Sequence, residues 1–159
     1  MPAVRGNLAF GSPGIVGSIC ARSLNDERMM PMQLKHLNLT TSDVGGLAAF
    51  FERFFGFKRL MTRGQDAFAL MSNQDEFILT LMKAKKHEPA AYPETFHVGF
   101  YLGAADAVQA KHDELARAGL SPGKIQLPSR GGSRVTTFYC NAPGGVVIEI
   151  ATPPGLAAE

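Results

Sequence analysis

Three side chains of the kinds that bind divalent metals occupy related places in the sequence. The stretch YCNAPGGVVIEI (139–150) puts Glu149 between two isoleucines of a predicted strand, although strands with β-branched runs are usually buried on at least one face. His36 and His97 lie near the starts of two other predicted strands, 61 residues apart. Two imidazoles and one carboxylate suit Fe(II), Mn, Ni, Co or Zn and leave positions open for substrate oxygens. Such a metal would act as a Lewis acid on a chelated substrate.

Taken singly, each of these residues also has an ordinary structural explanation. A lone histidine in a strand is more often a structural residue than a metal ligand. Glu149 alone could face solvent, as Lys35 is expected to do. A ligand role assigned from any one of these residues would therefore carry a high risk of being wrong. If the two halves of the chain pair, His36 and His97 are related by a pseudo-twofold axis and face one cavity, where they could form a metal site with Glu149.

The elements that must position these residues form an internal repeat. LKHLNLTT (34–41) is predicted to be a strand, and the helix after it has phenylalanines at helical spacing and ends at Gly56. Three strand candidates follow, FKRLMTR, AFALMS and FILTLMK. The charged, proline-bearing run at 83–94 is predicted to be a linker.

The second half repeats this order. TFHVGFYL (95–102) is a predicted strand, 104–119 is an amphipathic helix closed by Gly119, and strand candidates follow around KIQLP, RVTTFYC and VVIEIAT. Each half therefore predicts β-α-β-β-β. We expect an α+β fold in which two βαβββ modules, at 32–83 and 95–155, pair to enclose a half-barrel cleft.

Composition sets the wider limits. Apolar residues make up 45% of the 159 residues and charged residues 19%, with a net charge of +2, as in ordinary globular proteins. No basic cluster is interleaved with aromatic residues, so we expect no nucleic-acid partner. Two cysteines are too few for a disulfide framework, which predicts the cytoplasm. Residues 1–31 are expected to be a flexible leader or an upstream-start extension, without an apolar stretch long enough to span a membrane.

Strand parity adds further candidates. Residues two apart share a face of a strand, so Asn38 lies beside His36 and Tyr101 lies on the face of His97. Asn38, Tyr101 and Tyr139 could hydrogen-bond a ligand, and Tyr101 could equally pack in the core.

Three segments together resemble a known superfamily. HLNLTTSD followed by LAAFFERFFGF, FHVGFYL followed by a helix ending RAGL, and the closing FYCNAPGGVVIEIATPPG are similar to the two modules of the vicinal oxygen chelate superfamily. That superfamily contains glyoxalase I, bleomycin-resistance proteins, fosfomycin-resistance thiol transferases and type I extradiol dioxygenases. The resemblance implies paired modules, a divalent metal on the inner faces of the sheets, and a homodimer, and leaves open whether the modules pair within or between chains.

The chain departs at two places from the patterns of the superfamily members that it resembles. Aligning FILTLMK with VVIEIAT puts Thr80 where Glu149 stands, whereas glyoxalase I has a fourth ligand, a glutamate, at that first-module position. Tyr139 lies ten residues before Glu149, as in the dioxygenase signature, where the tyrosine orients or deprotonates the catechol. The histidine of that signature is missing from 128–137, where Arg130 and Arg134 stand instead. These favour an anionic or carbonyl-bearing substrate, or are simply solvated charges.

Three functions are compatible with this pattern. The leading hypothesis is a small metal-dependent enzyme, a lyase or dioxygenase of the glyoxalase type, that acts on a chelating oxygenated small molecule with Glu149 or Tyr139 in proton transfer. The alternative is a non-catalytic binding protein of the bleomycin-resistance kind, which sequesters a ligand without a metal. A third is a structural or regulatory dimer with a vestigial site.

Overall fold

The computed structural model describes residues 32–86 and 91–155. From residue 34 onward, the described residues form one compact unit. The predictions for 1–31 lie outside the described residues. No helix among the described residues is long and apolar enough to cross a membrane.

The first module contains one helix and a four-stranded sheet. In chain order its elements are β1 (His36–Thr41), α1 (Val44–Phe55), β2 (Lys58–Arg63), β3 (Phe68–Ser72) and β4 (Ile78–Lys83). The strand order is β1-β4-β3-β2, with β1 parallel to β4. The Asp43 side chain caps α1 by accepting the Gly46 N–H at 2.8 Å. Gly56 ends the helix with a φ of 68°, a left-handed conformation that glycine adopts without a steric penalty.

The second module has a smaller sheet. Its elements are β5 (Val98–Tyr101), α2 (Ala105–Arg117), β6 (Ser129–Arg130), β7 (Ser133–Arg134), β8 (Thr137–Asn141) and β9 (Val147–Ala151). The main sheet has the order β5-β9-β8, with β5 parallel to β9, and β6 and β7 form a separate hairpin.

One predicted strand of the second module is largely missing from its sheet. KIQLP contributes only an isolated bridge between Gln126 and Thr137. Pro128 has no N–H to donate to a strand ladder, and its carbonyl instead accepts the Val135 N–H at 2.9 Å as the chain turns into the β6–β7 hairpin. The missing N–H interrupts the ladder at Pro128, and the pairs Ser129–Arg134 and Arg130–Ser133 of the β6–β7 hairpin continue it in the same register.

The two modules use the same strand register around the candidate residues. Asn38, two residues after His36, pairs with Thr80 across β1 and β4. Gly99, two residues after His97, pairs with Glu149 across β5 and β9. Thr80 and Glu149 are therefore equivalent positions, in agreement with the sequence alignment.

Both modules share one buried core. Phe100 of β5 contacts Phe51, Phe55 and Phe57 of the first module, with ring centroids 6.2, 4.5 and 6.5 Å away. Alternation along each strand leaves the other face of each sheet outside this core, and His36 lies on that open face in the first module. The α+β class with two modules is as predicted.

Candidate metal and ligand site

Glu149 is buried on the open face of the second sheet. Only 4% of the residue is exposed, and its carboxylate has different partners at its two oxygens. Oε1 accepts hydrogen bonds from the Thr137 hydroxyl at 2.9 Å, the Tyr139 hydroxyl at 2.9 Å and the Arg130 guanidinium at 2.9 Å. A buried carboxylate needs a positive partner, and Arg130 provides it for Glu149.

These contacts keep Glu149 ionised. Burial has the largest single effect and raises the pKa of the carboxyl. The hydrogen bonds donated by Arg130, Tyr139 and Thr137 together outweigh burial, so the net effect is a pKa below its ordinary value. A carboxylate that stays charged near neutral pH is the form that binds a cation.

His97 presents one ring nitrogen to the second carboxylate oxygen. Its Nδ1 lies 3.0 Å from the Thr95 carbonyl oxygen. A carbonyl only accepts hydrogen bonds, so Nδ1 carries the proton in this contact. In the neutral ring Nε2 then has a lone pair, and it lies 3.3 Å from Oε2 of Glu149. Two acceptors this close repel each other unless a second ring proton or a cation lies between them.

This arrangement fits a metal centre. A metal-binding histidine usually donates its other ring N–H to a carbonyl or carboxylate, which fixes the tautomer and the ring orientation. The Thr95 carbonyl provides that contact for His97. Oε1 of Glu149 is already engaged, so Oε2 is the oxygen available for coordination.

Tyr139 and Arg130 extend the site toward solvent. The Arg130 guanidinium also donates to the Tyr139 hydroxyl at 3.1 Å. Arg130 is on the β6–β7 hairpin, whose turn residues Gly131 and Gly132 have φ values of 56° and 78°, a turn that glycine makes without strain. Burial, followed by the hydrogen bond to Glu149, raises the pKa of Tyr139, so its hydroxyl stays protonated and acts as a donor.

His36 belongs to an equivalent but incomplete site on the first sheet. Its Nε2 lies 3.0 Å from the Thr80 hydroxyl oxygen, which is the place where Glu149 meets His97 in the second module. On the same face, the Asn38 amide donates to the sulfur of Met82 at 3.3 Å. The first module therefore supplies an imidazole without a carboxylate.

The single chain brings together only part of the predicted site. His97, Glu149, Tyr139 and Arg130 form one cluster. Within 32–86 and 91–155, no three histidine, cysteine, aspartate or glutamate side chains are close enough to hold a metal, so His36 does not join this cluster in one chain.

The two remaining candidates are exposed. Tyr101 is 60% exposed on the face of the second sheet that carries Glu149, since its neighbour two residues back pairs with Glu149. Arg134 is exposed on β7. Neither contacts the cluster around Glu149 through any hydrogen bond or ion pair that the described residues show.

Sequence reasoning missed two residues of the cluster. Thr137 lies two positions before Tyr139, so strand parity alone could have placed it on the same face. Thr95 acts through its backbone carbonyl, and no residue type signals such a role. A cavity of about 370 Å³ lies beside the cluster and is lined by Glu94, Thr95, Phe96, His97, Tyr139 and Val147.

Comparisons with known proteins agree with this architecture. The family model of the Glyoxalase/Bleomycin resistance protein/Dioxygenase superfamily matches residues 33–150. A solved structure described as a possible glyoxalase from Bacillus cereus is 42% identical, covers 75% of this chain and 97% of its own, and superposes with a TM-score of 0.62. No curated protein sequence matches the chain significantly.

Two more distant structures share the fold. A lactoylglutathione lyase from Agrobacterium tumefaciens is 16% identical, with 77% of this chain and 95% of its own covered and a TM-score of 0.59. A fosfomycin resistance protein, FosX, from Listeria monocytogenes in complex with Mn(II) is also 16% identical, with coverages of 76% and 90% and a TM-score of 0.58.

Proposed function

Because the chain belongs to the glyoxalase/bleomycin resistance protein/dioxygenase superfamily, we propose that it is a small metal-dependent enzyme acting on a chelating, oxygenated small molecule. The observation that carries this proposal is the His97–Glu149 pair. Nε2 of His97 lies 3.3 Å from the free oxygen of a buried, ionised carboxylate, and a backbone carbonyl at Nδ1 orients the ring. Metal-binding histidines are held in this way.

The proposed ligands are His36, His97 and Glu149, with Fe, Mn, Ni, Co or Zn as candidate metals. A metal there would polarise substrate oxygens and stabilise an enolate or a similar anion. A member of the superfamily, the Listeria FosX, binds Mn(II), which supports a divalent ion.

We further propose that the site is completed in a homodimer. His36 lies on β1 and His97 immediately precedes β5, and among the described residues each of these strands is at the end of its sheet. The edge of β1 from one chain can therefore meet the edge of β5 from the other, which would bring an imidazole of the first module to the His97–Glu149 pair. The N–H and carbonyl of Thr40 on that edge of β1 are already bonded to the Tyr92 hydroxyl, so the two edges would meet through side chains near His36 and not through a continued strand ladder.

The remaining candidates would bind the substrate. Arg130 and Arg134 carry positive charge on one hairpin, which suits an anionic or carbonyl-bearing group. Tyr139 would donate a hydrogen bond to substrate oxygens, since its raised pKa disfavours a role as a base. Asn38 and Tyr101 lie on the open faces of the two sheets. We propose a cytoplasmic location from the low cysteine count.

One observation favours a second candidate function, a binding protein that sequesters a ligand without a metal. Glu149 already has a counter-charge, because Arg130 lies 2.9 Å from Oε1. A site neutralised in this way is stable without a metal, and its arginine and tyrosine could hold a ligand directly.

Metal content separates the two candidates. The experiment measures bound metal by plasma mass spectrometry in purified, untagged protein and in the His97→Ala and Glu149→Ala variants. Glu52→Ala is the matched control, because Glu52 is an exposed carboxylate on α1 that pairs with Arg59. The enzyme proposal predicts close to one metal per chain in the wild type and the control, and a loss of at least tenfold in both site variants.

A wild-type protein that takes up no metal after reconstitution with Fe, Mn, Ni, Co and Zn would contradict the enzyme proposal. The sequestering function would then be the one to pursue, with ligand binding measured in metal-free buffer.

A further inference from the structure

A short segment before His97 ties that residue to the first module. This segment, residues 91–96, is called the strap here. It overlaps the end of the predicted linker at 83–94 and ends directly before His97, whose imidazole orientation matters for the proposed metal site. Three groups of contacts connect β1 to the strap, the residues of the strap to one another, and the strap to His97.

The first tie is the hydroxyl of Tyr92. It accepts the Thr40 N–H at 2.8 Å and donates to the Thr40 carbonyl at 2.8 Å. Both backbone groups belong to the outer edge of β1, where no other strand of the sheet lies. Burial raises the pKa of Tyr92, so the hydroxyl keeps the proton that it donates.

The second tie is within the strap. The rings of Tyr92 and Phe96 stack with centroids 4.3 Å apart and planes at 10°. The Phe96 N–H donates to the Pro93 carbonyl at 2.8 Å and closes a turn between them. Together these contacts fix the backbone around Thr95.

The third tie reaches the metal site. The carbonyl that accepts the His97 Nδ1–H at 3.0 Å is that of Thr95, in the same turn. Any shift of the strap therefore moves the oxygen that selects the tautomer of His97. A lone pair on Nε2, directed at Glu149, depends on that tautomer.

We infer that Tyr92 is a positioning residue for His97: by bonding both backbone groups of Thr40 it anchors the strap, and the strap's Thr95 carbonyl holds the imidazole ready for a metal. The consequence for metal binding rests on the proposed function, whereas the effect on the His97 ring does not. Outer-shell partners of metal-binding histidines contribute strongly to affinity, and Tyr92 acts one step further out.

The test uses Tyr92→Phe in the full-length protein, which removes only the hydroxyl and keeps the stacked ring. Two quantities are measured. The first is the tautomer of His97 in metal-free protein at pH 8, from ring ¹⁵N chemical shifts. The second is affinity for Mn(II) and Zn(II), from competition with a fluorescent chelator.

Asn73→Ala is the matched control. The Asn73 side chain also makes two hydrogen bonds to backbone, accepting the N–H groups of Asp75 and Phe77 at 3.0 and 2.9 Å, but in the β3–β4 turn. Phe96→Leu is a second strap variant, which removes the stack and leaves the Tyr92 hydroxyl in place.

The inference predicts a proton fixed on Nδ1 of His97 in the wild type and the control, and a mixture of rings with and without that proton in Tyr92→Phe and Phe96→Leu. It also predicts metal affinity about tenfold weaker in both strap variants than in the control. An unchanged tautomer in Tyr92→Phe would overturn it, even if that variant were less stable than the wild type. If the wild type binds no metal, the proposed function fails, and the tautomer result still decides the role of Tyr92.

Discussion

Glu149 has two oxygens in different environments, and its chemistry follows from that difference. Oε1 accepts from three donors, Thr137, Tyr139 and Arg130, whereas the polar neighbour of Oε2 within 32–86 and 91–155 is His97. The three donors stabilise the ionised carboxylate against the cost of burial. One oxygen therefore maintains the charge and the other remains available for coordination.

This environment predicts a defined pH dependence of stability in the metal-free protein. The folded pKa of Glu149 lies below its ordinary value of 4.5. The stabilisation from the ionised carboxylate is therefore fully present above pH 4.5 and is lost as the pH falls through the folded pKa. At neutral pH we expect Glu149→Gln to lower the free energy of unfolding by about 2 kcal/mol, because the hydrogen bonds lose their charge.

Urea unfolding at pH 7 and at pH 3 checks this prediction. Protonated glutamate resembles glutamine, so the two proteins should differ less in stability at pH 3. A difference of the same size at both pH values would mean that the charge of Glu149 does not stabilise the fold.

The individual site residues were only partly predictable from sequence. Glu149 and Tyr139 were placed on one face by strand parity, which is local and strong. The contact of Arg130 with Glu149 depends on a hairpin of two-residue strands turning on Gly131 and Gly132. Such short strands leave no periodic pattern in a sequence, so the contact could not be foreseen.

At the scale of elements, the two modules place a histidine and a partner at the same registered positions. In the second module the partner of His97 is Glu149, and in the first module the partner of His36 is Thr80. Both pairs lie on the first and last strands of their modules, which run parallel. This equivalence predicts that a carboxylate at position 80 would contribute to metal binding.

Thr80→Glu should give the first module a histidine–carboxylate pair like that of the second module. Residue 80 is only 8% exposed, so the metal-free variant should be less stable than the wild type because a charge is desolvated. A bound divalent metal would offset that cost, and we expect metal affinity to rise about tenfold, or 1.4 kcal/mol. Chelator competition and thermal unfolding with and without Mn(II) measure both effects.

Met82→Glu is the control for this substitution. Met82 is on the same strand face as Thr80 but pairs with Thr40 instead of Asn38, so a carboxylate there adds the same charge two residues further along β4. Equal metal affinity in the two variants would show that added charge alone, and not a fourth ligand, explains the change.

Elements with a clear periodic pattern and a stop signal were predictable from the sequence, and short strands at a sheet edge were not. Helix α1 has phenylalanines at helical spacing and a glycine stop, and it ends at Phe55 before Gly56 as expected. KIQLP has the composition of a strand, but its ladder is interrupted at Pro128, so that only the bridge between Gln126 and Thr137 lies before the β6–β7 hairpin. Pro128 is visible in the sequence, whereas the partner residues that would need its missing N–H are not.

At the scale of the whole molecule, the two candidate half-sites of one chain are not brought together. Phe100 packs against the phenylalanines of the first module, so the modules meet through their core faces and leave the open faces outside the core. Sequence periodicity shows which residues share a face of one sheet. It does not show whether the open faces of two sheets meet within a chain, because that depends on how α1 packs on β5.

The central claim is that the metal site is completed between two chains. The measurement that tests it most directly is complementation of metal binding between two variant chains that each lack one ligand. His36→Ala and Glu149→Ala chains are co-expressed with different tags, and the mixed dimer is purified through both tags. If the site lies between chains, each single variant binds no metal, and the mixed dimer contains one intact site with His36 from one chain and Glu149 from the other.

We predict one metal per mixed dimer by plasma mass spectrometry and none in either homodimer. Loss of metal in the mixed dimer as well, with a wild type that binds metal, would place all ligands in one chain and contradict the account.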